Sequence, residues 1–189
     1  MLLDMESGLS LTPGVIRTER LDLVWLSAPL MDALITGQRD AVHDRASIVV
    51  PASFPEAHDV EFLQFRRAQL ESLPEWAPWL VRAVVRRDDS QLVGTITFHG
   101  PPGINDLAAP GAVEVGYTIR EEGRGRGYAT EAARGMMRWA TDQHGIRHFI
   151  CGVAPDNAPS LRVTSKLGFE PTGIVDDGEL IFDLHLPAE

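Results

Sequence analysis

This chain of 189 residues offers little to cross-link and little to place in a bilayer. Its single cysteine, Cys151, excludes an internal disulfide and suits a reducing, cytoplasmic setting. No CxxC pair is present, and neither the cysteine nor the six histidines lead us to expect a structural or catalytic metal. Apolar runs such as VWL and IVV are far too short to span a membrane. The opening MLLDMESGLSLTPG has no basic region and no long apolar core, so no secretory leader is expected. Residues 1–14 are expected to be a flexible N-terminus. Positive charge is also scarce, with 17 Lys and Arg against 27 Asp and Glu, a formal net charge of −10. That balance argues against nucleic-acid or anionic-membrane partners, which need basic patches. It leaves room for a cationic substrate such as an amine, although acidity also serves solubility alone.

Hydrophobic residues make up 44% of the chain and charged residues 23%, so a packed core is expected. Residues 15–26 alternate apolar and polar and predict a strand. Residues 27–37 predict a short helix, with Ser27 as N-cap and Gly37 as its stop. Residues 38–55 carry little periodicity. A helical stripe begins at Asp59, and PEWAP breaks it with two prolines. Two β-rich runs around DDSQ predict a hairpin over 79–100, followed by a loop at 100–111 and a strand at 113–119. A helix over 128–144 closes at Gly145, and 146–153 predict a strand. A short helix follows, from an Asn157 N-cap to Gly168, and two strands around DDG complete the chain. With no repeat and no linker, residues 15–186 read as one mixed α/β domain.

The segment REEGRGRGYATE, residues 120–131, joins a predicted strand to a predicted helix. Glycines there let the backbone approach a ligand closely, and the first helical N–H groups favour an anion. Arg124 and Arg126 add donors suited to phosphate oxygens. A phosphate or pyrophosphate cradle is therefore expected, against the plainer reading of a solvated surface turn. No lysine follows the glycines as a P-loop requires, and G-x-G-x-x-G is met only in part, so a Rossmann reading is weak.

Arg124-Gly125-Arg126-Gly127-Tyr128-Ala129 matches [QR]-x-x-G-x-[GA] and resembles the acyl-CoA pyrophosphate loop of the GNAT superfamily of N-acetyltransferases. Asn157-Ala158-Pro159-Ser160, followed by Lys166-Leu167-Gly168-Phe169, is similar to the family's next motif. Arg17-Thr18-Glu19-Arg20-Leu21 resembles the first strand of the branch that includes ribosomal-protein N-terminal acetyltransferases. The resemblance implies a central, mostly antiparallel sheet of about seven strands flanked by helices, with the fourth and fifth strands splayed apart. It also implies transfer of an acetyl group from acetyl-CoA to a primary amine, either a protein N-terminus or a small amine. A non-catalytic acyl-CoA sensor is the alternative. A homodimer is compatible with either.

The same resemblance places the pantetheine arm in the splay, beside Val115, Tyr117 and Ile119. The backbone of 125–130 would hold the pyrophosphate, with Thr130 serving either as a phosphate ligand or as a cap. Asn157 would orient the cofactor or the acceptor amine or simply cap its helix, and Arg162 and Lys166 would reach CoA phosphates or only solvate their helix face, with Ser160 beside them. Glu114 is the candidate base; its parity puts it with Gly116 and Thr118, expected to be the open, wet face. A strand glutamate can equally be plain solvated surface. The position seven residues after Asn157, where many members carry a tyrosine acid, is Thr164. Ser160 is therefore the candidate acid, a role that competes with helix capping. Trp76 and Trp79 would form an acceptor wall or pack in the core. Cys151 reads as a small buried hydrophobe and His99 as an edge histidine near the cleft.

Overall fold

The computed structural model describes residues 13–187, so the expected flexible terminus at 1–14 lies almost wholly outside the described residues. Eight strands form one sheet in the order β1-β2-β3-β4-β5-β6-β8-β7. They are β1 (Ile16–Arg17), β2 (Leu21–Trp25), β3 (Arg82–Arg86), β4 (Leu92–Phe98), β5 (Val113–Ile119), β6 (His148–Val153), β7 (Glu170–Asp176) and β8 (Glu179–His185). The count exceeds the expected seven because the first strand breaks. The Thr18 amide donates to the Leu21 carbonyl and the Thr18 hydroxyl accepts the Leu21 amide, which turns the chain between β1 and β2.

Every pairing is antiparallel except β5 with β6. That parallel pair holds only at Val113↔Phe149 and Glu114↔Ile150. Beyond Glu114, β5 stays with β4 through Val115↔Phe98 to Ile119↔Gly94, while β6 follows β8. The two strands therefore splay, one number later than expected because of the extra β1.

Five helices cover the sheet: α1 (Ala28–Ile35), α2 (Arg39–Ala46), α3 (Ala57–Ser72), α4 (Tyr128–His144) and α5 (Ala158–Leu167). In α4, Tyr128, Ala132, Ala133, Met136, Met137 and Ala140 are buried, a stripe at helical spacing that seats it on one face. Leu21, Leu23, Val84, Ile96, Val113 and Phe149 meet it there. The opposite face carries α1, α2 and α3 over Leu26, Ala83, Val85 and Leu92. Strand alternation explains the division, since Val84 belongs to one cluster and its neighbours to the other.

Three elements differ from expectation. Helix α2 lies in the stretch without periodicity, because only Val42 of its residues is buried. PEWAPW is a 3-10 helix, Pro74–Trp79, rather than a simple break. Helix α3 begins at Ala57, two residues early, behind a capping box of Glu56 and Asp59.

Candidate active site

The glycine loop leaves β5 through a short 3-10 turn, Glu121–Gly123, and enters α4 at Gly127. Gly125 and Gly127 have φ of 73° and 81°, a region in which a side chain is strained. Gly127 is the N-cap and supplies no side-chain cap. The amides of Tyr128, Ala129 and Thr130 have no carbonyl four residues back within the helix, so they point outward for an anion. Thr130 sits at the third helical position, inside α4 rather than at its cap, and lines the adjoining cavity.

The loop is braced from behind. Glu131 accepts from the Thr18 hydroxyl at 2.6 Å, the Arg20 amide at 2.7 Å and Arg20 Nε at 2.7 Å. Arg20 also donates to the Arg126 carbonyl at 3.0 Å and lies over the Tyr128 ring. These contacts hold Glu131 ionised against the upward push of its partial burial, and its pKa falls. They give the Arg17–Leu21 segment a structural task at the site.

A cavity of about 540 Å³ lies between the end of β5, the loop, the start of α4 and α5. Tyr117, Ile119, Arg124, Gly125, Gly127, Tyr128, Ala129, Thr130, Asn157, Ser160, Arg162 and Lys166 all border it. Arg124 is fixed by its Nε bond to the Ile119 carbonyl at 3.1 Å. Arg126 does not border this cavity; its residue is exposed and only its carbonyl is engaged, by Arg20. Asn157 caps α5 by accepting the Ser160 amide at 3.2 Å, so its capping role is real, and its side of the helix also faces the cavity.

A second cavity of about 250 Å³ adjoins the first, and Tyr117, Asn157 and Ser160 border both. Val115, Glu114, His99 and Glu179 belong to this second space. Glu114 lies on the predicted face, but that face is not wet here: the residue is 0% exposed. The 100–111 loop folds over it, and Leu107 and Ala109 pack with Ala112, Ile150 and Ile181. Glu114 Oε2 accepts the Asp106 amide at 2.7 Å and faces His99 Nδ1 at 3.5 Å. Oε1 is buried and has no hydrogen-bond partner among the described residues. Burial alone would raise the Glu114 pKa, but the His99 hydrogen bond and charge and the Asp106 amide outweigh it, and the net direction is down. His99 is thus a partner of the carboxylate rather than a plain edge histidine. Its position at the end of β4, before a glycine, was the available signal.

The Tyr117 phenol is buried without a formed hydrogen bond, beside the Ser160 hydroxyl. Burial raises its pKa more than that neighbour lowers it, so the proton is retained at neutral pH. Thr164 is buried, and its hydroxyl donates back to the Ser160 carbonyl at 3.0 Å, which occupies it as helix structure. Cys151 packs in the core, and burial pushes its thiol up to about 12, so it stays protonated.

Trp79 is no acceptor wall. It is 8% exposed and packs on Phe98, Trp139 and His144, with ring centroids at 5.9, 5.5 and 4.7 Å. The 3-10 turn directs it to the α4 side of the sheet. Trp76 is half-buried near Gly100 and borders neither cavity.

His144 and His148 stand four residues apart, a spacing used for metals on a helix. Gly145 ends α4 between them, so His144 turns to the tryptophans while His148 stacks on His185 at 3.8 Å. Two groups of three metal-type ligands do gather in the fold: His148, Asp183 and His185, and His99, Asp106 and Glu114. Among the described residues, no helix is long and apolar enough to cross a membrane.

The comparisons with known proteins agree with this geometry. The profile described as "Acetyltransferase (GNAT) domain" matches residues 20–170. The Bacillus subtilis protein named "Uncharacterized N-acetyltransferase YjdG" is 25% identical over 158 residues, covering 82% of this chain and 89% of that relative. Other curated relatives align over about half of their own length. The ribosomal-protein-S5-alanine acetyltransferase from Vibrio fischeri superposes with a TM-score of 0.62 at 16% identity, covering 91% of this chain and 96% of that one. The microcin C7 self-immunity acetyltransferase MccE, solved in complex with acetyl-CoA and AMP, gives 0.59 at 16% identity, covering 89% and 94%. At those identities the solved structures establish the fold alone. The profile match spans well over half of the sequence, and the chain belongs to the GNAT acetyltransferase family.

Proposed function

We propose that the protein transfers an acetyl group from acetyl-CoA to a primary amine by direct attack within the joined cavities. The observation that carries this reading is their junction. An anion cradle at the α4 N-terminus opens into the splay, and the splay leads to a buried carboxylate with one free oxygen. The loop amides of 125–130 and Arg124 hold the pyrophosphate, and Arg162 and Lys166 supply further positive charge on α5. This local field reconciles an anionic substrate with a net charge of −10.

The acceptor nitrogen attacks the thioester carbonyl as a neutral amine. Its surplus proton passes to Glu114 Oε1, directly or through water, with His99 and the Asp106 amide fixing the other oxygen. The carbon–sulfur bond then breaks. The departing thiolate takes a proton from the hydroxyl pair of Ser160 and Tyr117, which stand at the junction. The acceptor is an amine whose free base is accessible near neutral pH, such as an α-amine of pKa about 7.7–8.0.

The test is thermal unfolding with acetyl-CoA, desulfo-CoA and NAD, beside Arg124→Ala and Gly127→Asp. A ligand at 100 times its Kd adds about 2.7 kcal/mol of apparent stability. CoA species should raise the midpoint and NAD should not, and both variants should lose most of the rise. A wild-type protein that ignores acetyl-CoA would remove the reading.

A further inference from the structure

The second cavity is acidic beyond what removal of one proton requires. Strand pairing puts Glu114, Ile150, Gly152 and Ile181 on one face, through Glu114↔Ile150 and Gly152↔Ile181. Two-residue alternation along β8 adds Glu179 to that face, and the Asp176↔Glu179 pair adds Asp176. Glu179 reaches back over β6: a Cβ built on Gly152 would collide with its carboxylate. Gly152 therefore leaves the space in which this carboxylate borders the cavity opposite Glu114. Burial does most to raise the pKa of the Cys151 thiol, and the charges of both carboxylates add to it. No Lys or Arg is among the residues bordering this cavity. The Arg66 guanidinium, which donates to the His99 carbonyl and to Gln69, is buried. His99 is the one basic side chain among the lining residues, and it faces Glu114 at 3.5 Å.

Glu114 needs one oxygen to accept the proton of the attacking amine, and Oε1 is that oxygen. Glu179 also borders this space, is exposed, and its side chain has no hydrogen bond or ion pair among the described residues. An acceptor with only one amine enters the reaction neutral, and nothing in it answers Glu179. An acceptor with a second ammonium a few bonds away would answer it with a charge-assisted hydrogen bond. We propose, on the footing of the acetyl-transfer reading above, that the acceptor is a small dicationic amine, and that Glu179 holds its second ammonium while the first is acetylated beside Glu114. Glu179 is thus a specificity-determining residue for the acceptor's charge.

The experiment compares 1,4-diaminobutane, butylamine and an uncharged-side-chain tripeptide with a free N-terminus, by release of free CoA from acetyl-CoA. The diamine should show a kcat/KM about tenfold or more above butylamine and above the tripeptide, as expected for one charged hydrogen bond. In Glu179→Gln the diamine-to-butylamine ratio should fall toward one, chiefly through KM for the diamine. Gly152→Ala, whose new methyl displaces the Glu179 carboxylate, should lower the same ratio without removing any charge. Equal use of diamine and butylamine by the wild type would overturn the proposal, as would preference for the tripeptide. A ratio unmoved in Glu179→Gln overturns it too, as does failure to acetylate any of the three while acetyl-CoA still raises the thermal midpoint. Loss of that acetyl-CoA shift is the separate outcome that removes the underlying reading.

Discussion

Replacing Glu114 by glutamine tests the chemistry most directly. The substitution keeps the side chain's shape, and its carbonyl oxygen can still accept the Asp106 amide now bound at 2.7 Å. What it removes is the free, buried Oε1 that can take a proton. A positioned general base contributes about 10²- to 10⁴-fold, which at 1.36 kcal/mol per decade is about 2.7–5.5 kcal/mol of barrier. The expected result is a fall of that size in kcat, with acetyl-CoA affinity retained because the cradle lies at the other end of the cavities. The pH dependence adds a second check. His99 and the Asp106 amide hold the Glu114 pKa below its ordinary value, so the carboxylate stays ionised throughout the neutral range. The rise of kcat/KM with pH near neutrality then belongs to the acceptor amine. Glu114→Gln should lower the whole profile without moving its midpoint. Stability follows the same linkage. A depressed folded pKa stabilises the fold above the unfolded value of about 4.3. That contribution is lost as pH falls through the lower folded value, and the glutamine variant should lack this acid-side loss. Steady-state assays from pH 6 to 9 and acid unfolding curves read both effects. A variant that keeps kcat within about threefold of wild type, or a shifted midpoint, refutes the assignment of Glu114 as base.

Trp79→Ala should cost about 3–5 kcal/mol, since the side chain is buried against Phe98 and Trp139, and lower the melting midpoint by about 6–20 °C. An unchanged midpoint with an altered acceptor KM would return Trp79 to the acceptor wall. Tyr117→Phe and Ser160→Ala should each lower kcat by about tenfold or less, because the neighbouring hydroxyl remains, while the double variant should lose more than the product of the two. A double variant within about threefold of wild type would leave the thiolate without a protein acid at this junction.

Much of this was readable from local pattern. The stripe of α4 is periodic because one face meets the sheet, and Asn157 and Gly168 mark α5 because its first amides and last carbonyls need those residue types. The cradle was readable for the same reason: two glycines at positive φ before a helix are a local backbone requirement. Helix α2 was not readable, since it buries only Val42 and is tied in by Arg39 bonds to the Ala52 and Phe54 carbonyls, thirteen and fifteen residues away. The direction of Trp79, the outward turn of Arg126 and the role of His99 were also beyond it. Each depends on an element distant in sequence: α4, Arg20 and Glu114 respectively.

The sequence by itself determined the family, the order of most elements, the anion cradle and the residue types available for acid and base work, because each is written within a few consecutive residues. Only the tertiary structure decided that Glu114 is buried rather than wet, that Tyr117 stands beside Ser160, and that Glu179 crosses Gly152 to face the same cavity. The physical reason is that burial and charge pairing are set by what the other strands bring. Here β4, β5, β6 and β8 and the 100–111 loop converge from separate parts of the chain on one space.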